Sequence, residues 1–311
     1  MIQPLLSICI PTYNRCDKLQ VTLDGLTKDR AFQDRRVEII ISDNASTDGT
    51  EALGRKYDVC YDNIHYYRND KNNGNENFPV AISRASGKLR KLNNDTFVPE
   101  PDALSFMCDL VEKHESDRPV LFFINGKKEN VSESLLPFHR FVVEAGYWAT
   151  WIACFSIWDD ECENIAYDTD ACDLRLWQVR KVYQLASSKN RCLIVNQKIG
   201  EPMPIVKKNL SYGLYEVFYH NYMTLLKPYV DKGLISIDEY EIVRRELLYD
   251  FLTTQIIEWE LSKDRYSYAK EGNIKEKIFS KYRSTDYWRE YKIYYMIKKV
   301  RSICSRIIHR W

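Results

Sequence analysis

Ser7-Ile8-Cys9-Ile10-Pro11-Thr12-Tyr13-Asn14-Arg15 is a short apolar, β-branched run that breaks into polar residues after a proline. A run of that length bounded by turn chemistry reads as a buried strand. The strand is expected over Leu5 to Ile10, stopped by Pro11. Val37 to Ile41 repeats the pattern and ends in Ser42-Asp43-Asn44. Between the two runs, Leu19, Leu23 and Leu26 recur at the spacing of one helix face. Asp48 reads as an N-cap, with Glu51 three residues on as in a capping box.

Working outward, Ile64 to Tyr67 is a third strand, Asn72-Asn73-Gly74 a turn, and Asn77 to Ala85 a short helix closed by Ser86-Gly87. Leu89 to Leu92 is a fourth strand, followed by Asn93-Asn94-Asp95-Thr96. Pro101 opens a helix to about Glu115, and Val120 to Ile124 is another strand. Alternating strands and helices predict an α/β fold, a mixed, mostly parallel sheet flanked by helices. Right-handed crossovers then put the strand C-termini on one edge, where such sheets bind ligands. The polar clusters Thr12 to Arg15, Asp43 to Asp48 and Asn93 to Thr96 are therefore expected to converge on one crevice.

The remainder is less regular. Thr150 to Trp158 is apolar and aromatic, Cys172 to Ala186 reads as a helix and Cys192 to Val195 as a strand. Trp148, Trp151 and Trp158 offer aromatic faces on which a ligand ring can stack, although aromatic residues in such a run are more often core. From about Ser211 the pattern is helical to the end, and Glu201-Pro202-Met203-Pro204 marks a bend. The expected division is an α/β domain over residues 1–210 and a helical C-terminal region over residues 211–311.

Composition excludes more than it selects. The 311 residues carry 45 Lys+Arg against 44 Asp+Glu, so net charge favours no polyanionic partner and nucleic-acid binding is not expected. Nine cysteines without a C-x-x-C pair read as reduced residues of a cytoplasmic protein. No signal peptide and no membrane-spanning run of about 18 apolar residues is read. P-loop, dinucleotide-binding and nucleophile-elbow motifs are missing from the sequence.

Carboxylates supply the candidate chemistry. Asp43 at a strand end, with Asn44 beside it, can accept the imide N–H of a uracil or thymine ring; its bland alternative is a plain turn. Asp95 can hold magnesium or manganese against a diphosphate, since magnesium often needs only one or two carboxylates; its bland alternative is an exposed turn. Asp168-Thr169-Asp170 reads first as a solvated acidic loop. Asp173, at the start of a helical segment, is either an N-cap or a general base that takes a proton from an acceptor hydroxyl.

Taken together, the segments Ser7–Arg15 and Ile39–Thr50, followed by Arg68-Asn69, Asn73-Gly74, Asn77 and Ala85-Ser86-Gly87, resemble the family 2 glycosyltransferases. The likeness covers the first third of the chain well and the next third weakly. It implies a GT-A fold, a nucleotide-diphosphate sugar donor (UDP- or dTDP-linked), a divalent metal, and inversion at the anomeric carbon. It further implies that Pro11, Thr12, Asn14 and Arg15 line the nucleotide pocket, that Asp43 reads the base and that Asp95 stands at the metal. Asp173, or failing that Asp170, falls where the family places its base. Two departures stand out. Asn94 and Thr96 lie over the two carboxylates of the usual Asp-x-Asp, leaving Asp95 in the middle, and Cys172 precedes Asp173 where the family shows an acidic pair. An active enzyme of surface-polysaccharide synthesis, acting on a glycan or lipid-linked acceptor, is the leading reading. A catalytically silent nucleotide-sugar-binding or scaffold protein is the alternative.

At the C-terminal end, Ile293, Ile297, Val300, Cys304, Ile307 and Trp311 form one apolar stripe, with Lys292, Lys299, Arg306 and Arg310 on another face and Lys298 and Arg301 nearby. No acidic residue follows Glu290. Such a helix suits an anionic membrane surface, which would make the protein peripheral to the inner face of a membrane, or docks on its own domain.

Overall fold

The computed structural model describes residues 3–129, 131, 134–203, 212–261, 266, 268–269 and 271–308, with the backbone alone at 307 and 308. Chain contacts divide it into two compact units, Met1–Ile205 and Val206–Trp311.

The first unit carries β1 (Leu6–Thr12), α1 (Cys16–Leu26), α2 (Arg30–Gln33), β2 (Val37–Asp43), α3 (Thr50–Cys60), β3 (Ile64–Arg68), α4 (Asn77–Ser83) and β4 (Leu89–Leu92). It continues through β5 (Phe97–Pro99), α5 (Ala103–His114), β6 (Val120–Phe123), α6 (Phe138–Ala145), β7 (Ser156–Trp158), α7 (Trp177–Lys189), β8 (Cys192–Val195) and β9 (Gly200–Pro202). The main sheet has five strands in the order β3-β2-β1-β4-β7. Its first four strands are parallel and β7 runs antiparallel to β4. This is the mixed, mostly parallel sheet that the alternation predicts.

Leu6, Ile8, Ile10, Val37, Ile39 and Ile41 are all buried, packed with Leu19, Leu23 and Leu26 of α1 and Leu104, Met107 and Val111 of α5. A parallel sheet covered on both faces needs such continuous apolar strands. Trp158 belongs to this core, whereas Trp148 and Trp151 are half-buried and pack on one another.

Three local expectations are corrected. β1 runs through Pro11 to Thr12 because the β4 ladder ends at Cys9↔Leu92, so the missing proline N–H faces no strand while Pro11↔Ser42 keeps register with β2. The capping box at α3 is not made: Asp48 Oδ1 accepts the Thr50 N–H at 2.9 Å, but Glu51 pairs with Arg55 and Arg68. The helix read from Cys172 begins at Trp177, with Leu176 at its N-cap, so Asp173 caps nothing.

The second unit holds α8 (Tyr222–Asp231), α9 (Ile237–Glu246), α10 (Thr253–Leu261), α11 (Ile274–Ser280) and α12 (Trp288–Ile308). Two stretches, Tyr215–Asn221 and Leu247–Leu252, widen to π-helix ahead of α8 and α10. The interior is tyrosine-rich: Tyr282 and Tyr291 are fully buried, and Phe279 meets Tyr291 edge-on. No helix among the described residues is long and apolar enough to cross a membrane.

Candidate functional site

Strand order reverses between β1 and β4, since the chain proceeds from β1 to β2 and β3 on one side and returns to place β4 on the other. Open α/β sheets bind ligands outside the strand ends at such a switch point. Thr12 and Asp95 face each other there. The Thr12 hydroxyl donates to Asp95 Oδ2 at 2.8 Å.

Hydrogen bonds tie the polar clusters together. The Asn44 N–H donates to the Thr12 carbonyl at 2.9 Å, and the Asn93 N–H donates to the Cys9 carbonyl at 2.8 Å. The Asn14 N–H donates to Ser46 Oγ at 2.9 Å, while Asn14 Oδ1 accepts the Thr47 N–H at 2.7 Å. Asn14 achieves this at φ 53°, a left-handed conformation that asparagine tolerates.

Asp95 is partly buried, and burial pushes its carboxyl up to about 6 against the Thr12 hydrogen bond and the charge of Arg15. Arg15 is half-exposed and has no carboxylate partner among the described residues. A desolvated carboxylate with spare lone pairs, a hydroxyl against it, Asn94 half-exposed beside it and a cation nearby suits a diphosphate with a hard divalent ion. The described residues hold no cluster of three or more His, Cys, Asp or Glu that would bind a metal without such a ligand. An ion held here by Asp95 would need oxygens from substrate and water as well.

Asp43 is placed differently from the expectation. Its side chain is completely buried. Oδ1 accepts the Ser46 N–H at 2.9 Å, and Oδ2 accepts the Tyr66 hydroxyl at 2.6 Å and Arg68 Nη1 at 2.9 Å. The carboxylate thus faces its own loop and not open space; it fixes the turn and the orientation of Arg68. Burial together with the Asp43 bond pushes the Tyr66 hydroxyl well up, so it stays a donor. Arg68 Nη1 also donates to the Ser46 carbonyl at 2.9 Å, locking strand end to turn.

Asn44 organises the next loop, accepting from Asn69 Nδ2 and the Asn73 N–H at 3.0 Å each and donating to Asn72 Oδ1 at 2.8 Å. Behind it, Arg84 donates to Ser42 Oγ at 2.6 Å and Asn69 Oδ1 at 2.7 Å and lies over the Tyr67 ring. A cleft of about 580 Å³ opens here, lined by Arg68, Asn69, Asp70, Lys71, Asn73 and Arg84. Sequence reading gave Tyr66, Arg68 and Arg84 no place in the site. The register Asp43↔Arg68 on neighbouring strands is the feature that brings Tyr66 and Arg68 to the Asp43 carboxylate.

The acidic loop resolves into two kinds of carboxylate. Asp168 is clamped by Arg180 Nη1 at 2.7 Å and Lys181 Nζ at 3.0 Å, and Asp170 is held by Arg180 Nη2 at 2.5 Å. The solvated-loop expectation fails for Asp168, which is only 16 % exposed. Asp173 is exposed, and among the described residues its Oδ1 accepts the Leu174 N–H at 2.9 Å. Residues Ile165–Tyr167, just before this loop, pack on α4.

A mostly parallel sheet that gathers donor-rich loops at its switch point has the architecture of the GT-A fold. The chain belongs to glycosyl transferase family 2, whose family model matches residues 7–174. It is 44% identical over 88 residues to the abequosyltransferase RfbV of Salmonella typhimurium, a match over 27% of this chain and 25% of that protein. It is 31% identical over 71 residues to the glycosyltransferase AglE of Haloferax volcanii, over 23% of each. The chain thus matches about a quarter of the length of these curated relatives. Among solved structures it is similar to S. aureus TarS 1-349 in complex with UDP-GlcNAc, at TM-score 0.53 and 16% identity over 85% of this chain and 74% of that one. It is also similar to the mannosyltransferase PcManGT of Pyrobaculum calidifontis in complex with GDP-Man and Mn2+, at TM-score 0.53 and 12% identity over 96% and 88%. At these identities the likeness is one of fold.

Proposed function

We propose that this chain transfers a sugar from a UDP- or dTDP-linked donor to a glycan or lipid-linked acceptor, with inversion, in surface-polysaccharide synthesis. The observation that carries the reading is the Thr12–Asp95 pair at the switch point of a family 2 sheet. The nucleotide lies along Pro11, Thr12, Asn14 and Arg15, and its base enters the cleft at Arg68 and Asn69, with Asp43 acting through Arg68. Asn94 and Asp95 face the diphosphate, where bound magnesium or manganese would offset the leaving group's charge. Arg15 supplies a second positive charge to the same oxygens. Asp173, free of the Arg180 clamp, takes the proton of the acceptor hydroxyl; Asp170, tied to a guanidinium, is the poorer base. RfbV is named an abequosyltransferase and TarS was solved with UDP-GlcNAc, which supports a nucleotide-sugar donor.

The thin acid complement favours one competing reading, a silent binder of nucleotide sugars. Purified protein incubated with a panel of UDP-, dTDP- and GDP-sugars, with magnesium or manganese, is followed by mass spectrometry. Release of nucleoside diphosphate, the sugar passing to water in the absence of its acceptor, supports the transferase. Thermal stabilisation by a nucleotide with no release supports the binder.

A further inference from the structure

The helix α12 is apolar on two opposite faces, and only one of them is used. Tyr291 and Tyr295 are buried, and with Trp288 they meet Phe279 edge-on. The other face carries Ile293, Met296, Ile297, Val300, Ile303 and Cys304, all exposed, with Ile293 at 65% and Val300 at 53%. These positions lie within about 120° of the helix circumference and run for roughly 16 Å along it. An exposed aliphatic stripe of this continuity marks an interaction surface.

The charges beside the stripe say what kind. Lys299 and Arg306, read from sequence as part of the outward basic face, point into their own unit instead, pairing with Glu260 at 2.6 Å and Glu258 at 2.7 Å. Glu290, the one acidic residue of the helix, pairs with Arg245 at 3.1 Å. Arg289, Lys292 and Arg301 remain exposed and have no carboxylate partner among the described residues. Projected at 100° per residue, Arg289 falls within the stripe, with Lys292 on one border and Arg301 on the other. Arg310, Trp311 and the side chain of Ile307 lie outside the described residues.

We propose that this face of α12 lies on an anionic lipid surface, its aliphatic side chains at the acyl boundary and Arg289, Lys292 and Arg301 among the phosphates. The geometry is that of an interfacial helix: one face held by protein, the opposite face aliphatic, cations along its edges. A symmetric contact with a second copy would gather the cations of both helices at one interface with no carboxylate to face them, which disfavours that occupant. The proposal does not depend on the glycosyltransferase reading.

The test is flotation of full-length protein with vesicles of phosphatidylcholine containing phosphatidylglycerol, against phosphatidylcholine alone. Wild type is expected to float with the anionic vesicles at low salt and to lose most of that binding at high salt. Ile297→Asp/Val300→Asp and Lys292→Glu/Arg301→Glu should each lower apparent vesicle affinity at least about tenfold. Both pairs lie on exposed positions, and unchanged thermal melts would show that the fold survives. Failure of wild type to float, or equal flotation of wild type and both variants, overturns the proposal. So does a concentration-dependent dimer without flotation that Ile297→Asp/Val300→Asp dissolves, which would make the stripe a self-association surface.

Discussion

Tyr66 and Asp43 sit on neighbouring parallel strands, and the Tyr66 hydroxyl donates to Asp43 Oδ2 at 2.6 Å. The same oxygen receives Arg68, so a tyrosine and an arginine two residues apart hold one buried carboxylate. Loop 44–48, which carries Ser46 against Asn14, is built on that carboxylate.

Asp43→Asn removes the charge while the Arg68 and Tyr66 donors remain. The folded first unit should lose about 2–3 kcal/mol, because a buried acceptor of charged donors is weakened. UDP affinity should fall with it through disorder in loop 44–48. Denaturant unfolding and calorimetry are read side by side; unchanged affinity in a stable variant would remove Asp43 from the nucleotide site altogether.

Gly54 on α3 packs against Tyr66, and a Cβ there would stand 2.1 Å from the ring. Helix propensity favours alanine over glycine by about 1 kcal/mol, but this overlap is larger. Gly54→Ala should destabilise by roughly 1–3 kcal/mol and weaken nucleotide binding by displacing Tyr66 from Asp43. A thermal melt with and without UDP decides; a stabilised protein would show that the ring moves freely.

Asp95→Ala removes the carboxylate at the switch point. Donor turnover should fall by at least about a hundredfold, and EDTA should abolish the wild-type rate. Thr12→Val, which deletes the hydroxyl that orients Asp95, should cost about 1 kcal/mol in donor binding. Wild-type turnover undiminished by EDTA would take the metal out of the reaction.

Asp173→Asn should lower kcat by about 10²–10⁴ with donor affinity preserved, as for a general base. Asp170→Asn should retain most of the rate, because that carboxylate is engaged by Arg180. The reverse ranking would move the base to Asp170.

In the helical unit, burial raises the Glu260 carboxyl, but Lys275, Lys299 and Tyr295 outweigh it and hold the group at about 2. An unfolded glutamate titrates near ~4.3. The folded value is depressed, so the contribution is complete above about pH 5 and is lost as pH falls from there toward 2. Glu260→Gln should cost about 1–2 kcal/mol at pH 7, after allowance for solvent screening, and progressively less toward pH 3. Urea midpoints of both proteins across that range check the convergence.

The sequence by itself determined the elements that depend on local pattern. Ile8 to Ile10 and Ile39 to Ile41 must be buried strands, and the polar residues after each must gather at one edge, because right-handed crossovers leave no other arrangement. Asn14, Ser46, Thr12 and Asp95 meet there for that reason. Tertiary structure alone decided which carboxylates are available. Asp43 is enclosed by Tyr66 and Arg68, more than twenty residues away, and Asp170 is captured by Arg180 from α7. Motif spacing carries no information on such long-range pairings. The same holds for α12: the period reads as one stripe through Ile293, Ile297 and Val300, membrane-facing or docked, and only the packing of Tyr291 against Phe279 shows that the opposite, aromatic face is the buried one.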